Sequence, residues 1–360
     1  MPRPGHGGRP SQAASLVRLN PTVPVVELDA RLLAAGRAAV DAALVNYLGA
    51  PALVVVSAGA AVTPAQWQLL AEIPFLVAAA EAPDRAGLDG ADVVLADDLG
   101  VEALCAQFDR APIAATAAAL LLRRATGDWW SGLVRESATY SMLQAGPEFG
   151  AWLTRRPQRS PTRDDAPRVR VGHHPQLTEI VLTRGDRHNA LDRRLRDELD
   201  AALLDATARD GPIVVLGDGP SFCSGGDLDE FGSLADPASA HLVRLGRSLA
   251  ARFARDRDRF VVGVHGSCLG AGVELAAFTD HVVAANDARL GLPELDLGLV
   301  PGAGGTVSLP ARIGRQQTLR LLLSGDTISA PTALAWGLVD EVVDPSQLRG
   351  RCFEIAESLL

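Results

Sequence analysis

The chemistry this chain could perform is concentrated in two glutamates and the glycines around them. Three glycine-rich segments stand in the second half. The first is Phe222-Cys223-Ser224-Gly225-Gly226-Asp227-Leu228 and the second runs from His265 to Leu275. The third is Gly291-Leu292-Pro293-Glu294, continued by Leu299-Val300-Pro301-Gly302-Ala303-Gly304-Gly305-Thr306. Any one of them reads as a tight turn after a strand. Together they suggest more, because glycine lets backbone approach a ligand and present its N–H groups, and two such groups from separate loops make an oxyanion hole. Ala271 precedes a helix expected over Val273 to Phe278, so its N–H points out of a helix N-terminus, where negative charge is favoured. Glu274 lies three residues on, on the same face and one turn in. Its neighbours Val273, Leu275, Ala276, Ala277 and Phe278 are apolar, and an acid in such a helix needs a reason. Glu294 follows a later strand and a proline. Two carboxylates beside a dipolar pocket suit general acid–base work, since their repulsion raises one pKa.

The elements that must hold these groups alternate strand and helix. Apolar runs at Ile180–Leu182, Pro212–Leu216, Phe260–Val264 and His281–Ala285 read as strands. Asp192 to Thr207 carries Leu195, Leu199, Ala202 and Leu203 at helical spacing. The fold class this predicts is α/β. Residues 155–170, rich in arginine and proline, read as a linker. The first half repeats the grammar in shorter form. Val40 to Gly59 is similar to Leu199 to Gly219, and Ala91 to Asp98 is similar to Asp280 to Asp287. The first half therefore reads as a related unit with its middle loops removed.

Composition removes several alternatives. The 34 basic residues are all arginine. Without lysine there is no Schiff-base amine and no phosphate-loop lysine, so arginine or backbone N–H groups must grip any phosphate. A net charge of −9 argues against a nucleic-acid partner. Cys105, Cys223, Cys268 and Cys352 show no metal-binding spacing, and a reduced, cytoplasmic protein without a metal is expected. The longest apolar run, near Pro51 to Val62, is too short to span a bilayer, and the N-terminus does not read as a secretory signal.

Residues 178–345 resemble the crotonase, or enoyl-CoA hydratase/isomerase, superfamily. The likeness lies in Asn189-Ala190-Leu191, the F-x-x-G-x-D-L loop at Phe222, and G-x-x-x-G-x-G-x-E-L ending in Glu274-Leu275. It continues in P-E-x-x-L-G-x-x-P-G-A-G-G-T from Pro293, and in Leu322 to Asp326 and Ala335 to Val339. The resemblance implies a ββα spiral core with peripheral helices. It implies that the N–H groups of Gly226 and Ala271 hold a thioester carbonyl, and that Glu274 and Glu294 flank the catalytic water, with their two roles left open. Both acids together favour hydration of a 2-enoyl-CoA. Isomerisation, hydrolysis, C–C lysis and a non-catalytic acyl-CoA-binding or assembly role remain alternatives. Coenzyme A enters as part of the substrate. Its candidate contacts are Arg184, Arg187, Asn189, Ala190, Cys223, Ser224, Asp227 and Leu228, although Cys223 read by itself is a small buried side chain. A homo-oligomer, trimer or hexamer, is implied as well.

Family members continue past this chain's end with further helices. Segments resembling those helices occur instead at Ala111 to Arg124 and at Ser131 to Leu153, with Leu133, Ala138, Met142, Phe149 and Trp152 as the expected apolar face. The expected domains are a flexible tail over residues 1–20, an inert reduced crotonase-like copy over 21–157 ending in these helices, a linker over 158–170, and a catalytic domain over 171–360. The borrowed helices are expected to pack on the catalytic domain. Arg155 and Arg156 at their end, or Arg184 and Arg187, are the candidates for meeting the phosphates.

Overall fold

The computed structural model describes residues 22–57, 62–80, 88, 90–95, 99–125, 127–156, 165–233 and 236–360. The expected tail and most of the expected linker lie outside the described residues, as do the ends of the matched segments at 58–59 and 96–98. The chain forms two compact units, Met1–Asp109 and Arg110–Leu360.

In the first unit, strands β1 (Val25–Leu28), β2 (Leu53–Val56), β3 (Leu76–Ala79) and β4 (Val93–Val94) form a parallel sheet in chain order. Helices α1 (Ala30–Ala34), α2 (Arg37–Leu44), α3 (Pro64–Leu70) and α4 (Val101–Arg110) alternate with them. Thr63 and Gln66 start α3 with a reciprocal capping box. Leu28, Val54, Val56, Trp67, Phe75 and Val77 lie in one buried cluster, which is the unit's core.

The second unit opens with three helices, α5 (Pro112–Leu122), α6 (Trp129–Gln144) and α7 (Pro147–Arg155). Strands β5 (Val169–His173), β6 (Thr178–Leu182) and β7 (Ile213–Gly217) follow, with α8 (Arg193–Thr207) between the last two. Then come α9 (Pro237–Gly246), α10 (Leu249–Arg255), β8 (Phe260–Val264), β9 (Ser267–Leu269), α11 (Ala271–Ala276), β10 (His281–Ala285) and β11 (Arg289–Gly291). The rest is α12 (Gly305–Ile313), α13 (Arg315–Ser324), β12 (Thr327–Ser329), α14 (Ala330–Trp336), β13 (Glu341–Val343) and α15 (Leu348–Ser358).

Six strands form the main sheet in the order β13-β10-β8-β7-β6-β5, parallel except for the edge strand β5. Thr178–Leu182 and Phe260–Val264 are buried along their whole length. Parallel strands covered on both faces read as unbroken apolar runs for that reason. Leu348, Cys352 and Ala356 of α15 pack with Val181, Val214, Val261 and Val283. A second sheet, β12-β11-β9, carries the loops that leave the main one.

The unit boundary differs from the sequence expectation. Helices α5 to α7 were expected to close a domain over 21–157, but they fold within the unit that begins at Arg110. Contacts to later segments at Arg110 and at Gly298 explain this, and a further one braces α7 against α5. Arg110 pairs with Asp296 at 2.7 Å and also donates to the carbonyls of Leu323 and Ser324. The Glu148 carboxylate on α7 accepts from the N–H groups of Ile113 and Ala114 at the start of α5. The Glu148 backbone meets Gly298, whose φ of +69° and lack of a side chain permit the approach. The expected face of α6 is also mis-phased. Ala138 and Met142 are exposed, and the buried face is Leu133, Glu136, Ser137, Tyr140 and Leu143. That face carries polar groups with partners inside the unit, so apolar spacing alone selects the wrong stripe. Among the described residues no helix is long and apolar enough to cross a membrane.

These contacts predict how the chain tolerates truncation. A chain cut to residues 110–360 keeps a single cooperative urea transition. One cut to 166–360 loses α5 to α7 and with them that transition. Equal midpoints for the two fragments would contradict the packing described.

Candidate active site

The loops after β7 and β8 are stitched side by side. The N–H of Cys223 donates to the Ser267 carbonyl at 3.2 Å, and the N–H of Leu269 donates to the Cys223 carbonyl at 2.9 Å. The Leu191 N–H donates to Gly225 at 2.8 Å and the Asp227 N–H donates back to Leu191 at 3.0 Å. Gly226 is thereby clamped on both sides. Among the described residues no backbone carbonyl accepts from the N–H of Gly226 or of Ala271. Both residues line a cavity of about 570 Å³, together with Glu274 and Glu294. That volume is of the size that takes a small organic ligand. The structure therefore brings all four residues proposed for the chemistry to one cavity.

The two glutamates have unlike surroundings. Glu274 Oε2 accepts from the N–H groups of Ala303 (2.7 Å) and Gly305 (2.8 Å), in the turn that opens α12. Burial pushes its carboxyl from the ordinary 4.5 up to about 7, while these two donors pull the other way. Glu294 is also buried, and its Oε2 has no hydrogen-bond partner among the described residues. Burial holds its carboxyl well above the ordinary range, and repulsion from Glu274 adds to the effect. Its other oxygen lies so close to Gly270 that a β-carbon there would stand 2.6 Å away. Gly270 also has φ +47°, so the residue before Ala271 has two reasons to be glycine.

A third acid belongs to this site. Glu136 of α6 is 2% exposed and lines the cavity. Its Oε1 accepts from the Gly304 N–H at 2.7 Å, and its Oε2 accepts from the Thr306 N–H (2.8 Å) and hydroxyl (2.7 Å). Four consecutive N–H groups thus alternate between two carboxylates, Ala303 and Gly305 facing Glu274, Gly304 and Thr306 facing Glu136. These are the unsatisfied donors of a helix start. Burial, followed by the charge of Glu274, raises the Glu136 carboxyl to about 8. Tyr140, one turn further along α6, abuts Gly302, where a β-carbon would meet its ring at 2.6 Å. Sequence reasoning missed Glu136 and Tyr140. An acid on the buried stripe of α6 is the signal, and it appears only once the phase of that helix is known.

The expected coenzyme A contacts are dispersed. Arg184 is turned inward, paired with Asp227 (2.7 Å) and Asp192 (3.4 Å) and donating to the Ala190 carbonyl. It ties the loops and is not free to meet a phosphate. Asn189 is fully buried and donates to the carbonyls of Asp218 and Ser221, which fixes the turn before Ala190. Cys223 is buried, and burial pushes its thiol up to about 11. Ser224 and Asp227 line the cavity, as does Leu228, which is 40% exposed. Arg187 and Arg156 converge on one carboxylate, Asp229, at 2.7 and 2.5 Å. The two guanidinium groups share the one carboxylate, so neither is matched by an acid of its own there. Arg155 is exposed on α7. Among the described residues no group of three or more His, Cys, Asp and Glu is placed to hold a metal ion.

A family model described as Enoyl-CoA hydratase/isomerase matches residues 173–360. The chain is 38% identical over 169 residues to a probable enoyl-CoA hydratase of Bacillus subtilis (strain 168), covering 46% of this chain and 65% of that protein. It is 39% identical over 182 residues to the 2,3-dehydroadipyl-CoA hydratase of Escherichia coli (strain K12), covering 49% and 69%. The chain thus spans about two thirds of the length of these relatives. A crystal structure of enoyl-CoA hydratase from Thermoplasma volcanium GSS1 is similar with a TM-score of 0.50 and 33% identity, over 53% of this chain and 78% of that one. Glu136 and Tyr140 precede the region that the family model matches.

The clamp on α12 has a measurable weight. Replacing Glu136 with alanine strands two N–H groups and a hydroxyl in the interior, at roughly 1–3 kcal/mol for each unsatisfied group. Urea unfolding should show Glu136→Ala destabilised by about 3 kcal/mol or more, and Glu136→Gln by clearly less. An unchanged midpoint for the alanine variant would mean the carboxylate does not hold the helix.

Proposed function

The chain belongs to the enoyl-CoA hydratase/isomerase family, and from that premise and the cavity's geometry we infer that it adds water across the 2,3 double bond of a 2-enoyl-CoA thioester. The observation that carries this reading is the contrast between its two buried carboxylates. Glu274 receives two N–H donors, which favour the ionised form, whereas one oxygen of Glu294 receives none, which favours the protonated form.

The roles follow from the contrast. The N–H groups of Gly226 and Ala271 hold the thioester oxygen, where negative charge grows as C3 is attacked. Ionised Glu274 takes a proton from water as its oxygen bonds to C3. Protonated Glu294 delivers its proton to C2 as the enolate collapses. The proton gained by Glu274 then replaces the one lost by Glu294, so one water is added and the site is restored. The opposite environments of two nearby acids are what such a division of labour needs. The sharing of Asp229 by Arg156 and Arg187 supports a contact of these two arginines with coenzyme A phosphates in a chain without lysine.

The first unit is proposed to be a reduced copy of the second. Its parallel strands follow chain order, as β6, β7, β8 and β10 do. The matched segments fall on corresponding elements, α2 and β2 against α8 and β7, and β4 against β10.

Incubation with a short 2-enoyl-CoA should bleach the conjugated thioester absorbance. Glu274→Gln and Glu294→Gln should each lower kcat/KM by about 10²-fold or more. The rate should rise with pH through about 7 as Glu274 ionises. It should fall again at higher pH as Glu294 loses its proton, and the residual activity of Glu294→Gln should lack that alkaline limb. Absence of bleaching by the intact protein at every chain length would remove the reading.

A further inference from the structure

One wall of the cavity is formed by α6 and α9, and it carries a cation that the hydration chemistry does not use. Arg244 of α9 lines the cavity and is partly buried. Its Nε donates to the Ser137 hydroxyl at 3.1 Å and its Nη1 to Gln144 Oε1 at 3.1 Å. Its Nη2 donates to the Ser137 carbonyl at 3.3 Å and to the Ser141 hydroxyl. The guanidinium stands 4.6 Å from the centre of the Tyr140 ring. Every one of these partners is neutral. Among the described residues Arg244 forms no ion pair. The nearby acid that its field reaches, Glu136, is turned to Gly304 and Thr306.

Other arginines in or near this cavity have acidic partners: Arg184 holds two carboxylates, Arg196 and Arg247 both pair with Asp197, and the charge of Arg193 acts on Glu230. Removing a guanidinium from water without a counter-charge is unfavourable, and burial accordingly lowers the proton affinity of Arg244. Neutral acceptors fix the direction of the planar group and leave its charge uncompensated. Such a pre-aimed cation suits a carboxylate, which can take the one N–H on Nη1 that these partners leave open in a charge-assisted bond. Tyr140 links the cation to the reacting centre. Its ring meets Arg244 on one part and abuts Gly302, beside the turn that holds Glu274, on another.

We propose that Arg244 is a specificity-determining residue that selects 2-enoyl-CoA substrates whose acyl chain ends in a carboxylate. The proposal rests on the acyl-CoA reading of the cavity. The thioester lies at Gly226 and Ala271, the chain passes Leu133 and Tyr140, and its anionic end supplies the charge that Arg244 lacks. Ser137, Ser141 and Gln144 act as positioning residues that hold the guanidinium. A neutral chain of the same length leaves the cation uncompensated and binds less tightly.

The test is binding of saturated thioesters in matched pairs, adipyl-CoA against hexanoyl-CoA and glutaryl-CoA against pentanoyl-CoA, by titration calorimetry on the full chain. The intact protein should bind at least one carboxylated member about tenfold or more tightly than its neutral partner. Arg244→Gln should abolish that preference while leaving the neutral thioester within about twofold. Arg244→Lys, which keeps the charge and loses the planar fork, should retain part of it. If Arg244→Gln does not fold, the intact protein and the lysine variant still decide. Equal or inverted preference in the intact protein overturns the proposal, as does an equal loss for both members of a pair in Arg244→Gln, the signature of a purely structural role. Binding of neither member of any pair overturns the acyl-CoA reading itself, and the proposal with it. Tight, equal binding of both overturns the proposal alone.

Discussion

The start of α12 is the constraint on which the second unit depends. Its first N–H groups have no carbonyl within the helix to bond to, and two carboxylates take them in alternation. One of those carboxylates, Glu274, comes from the helix that also presents the N–H of Ala271. The other, Glu136, comes from α6, far earlier in the chain. A single helix terminus therefore fixes the position of the proposed base, closes the wall that α6 supplies, and brings Tyr140 against Gly302. The close packing of glycines follows from this. A β-carbon at Gly305 would lie 2.7 Å from Glu274 Cγ, so the turn can be no bulkier than it is.

Burying three glutamates in one region is costly, and their surroundings divide the cost unequally. Glu136 and Glu274 accept from backbone donors, while one oxygen of Glu294 has no hydrogen-bond partner among the described residues. Such an arrangement suits the proposed division of roles, a proton held on one acid and another able to accept one, which an aqueous pair of carboxylates does not provide at neutral pH.

Much of this was legible in the sequence where the signal is local. The strands at Ile180, Ile213, Phe260 and His281 are short apolar runs between turns, and the structure places all of them in one sheet. Glu274 stood out because its neighbours are apolar. Glu136 did not, because what makes it part of the site is a contact across 168 to 170 residues, for which no local spacing exists. The phase of α6 failed for the same reason, since its buried stripe contains Glu136, Ser137 and Tyr140 in place of an unbroken apolar row. Arg184 shows a further limit. Its type suggested a phosphate contact, but only the fold reveals that Asp192 and Asp227 already occupy its guanidinium.

The order of α5 to α7 ahead of the sheet they pack with has a consequence for the birth of the molecule. A ribosome delivers α6 well before it delivers the turn at Ala303 to Thr306. During that interval Glu136 lacks the backbone donors of Gly304 and Thr306 that it holds in the folded unit. Contacts of such long separation close late and slowly. The wall of the cavity that α6 begins is therefore completed only by segments made much later, α9 and the turn at Ala303 to Thr306.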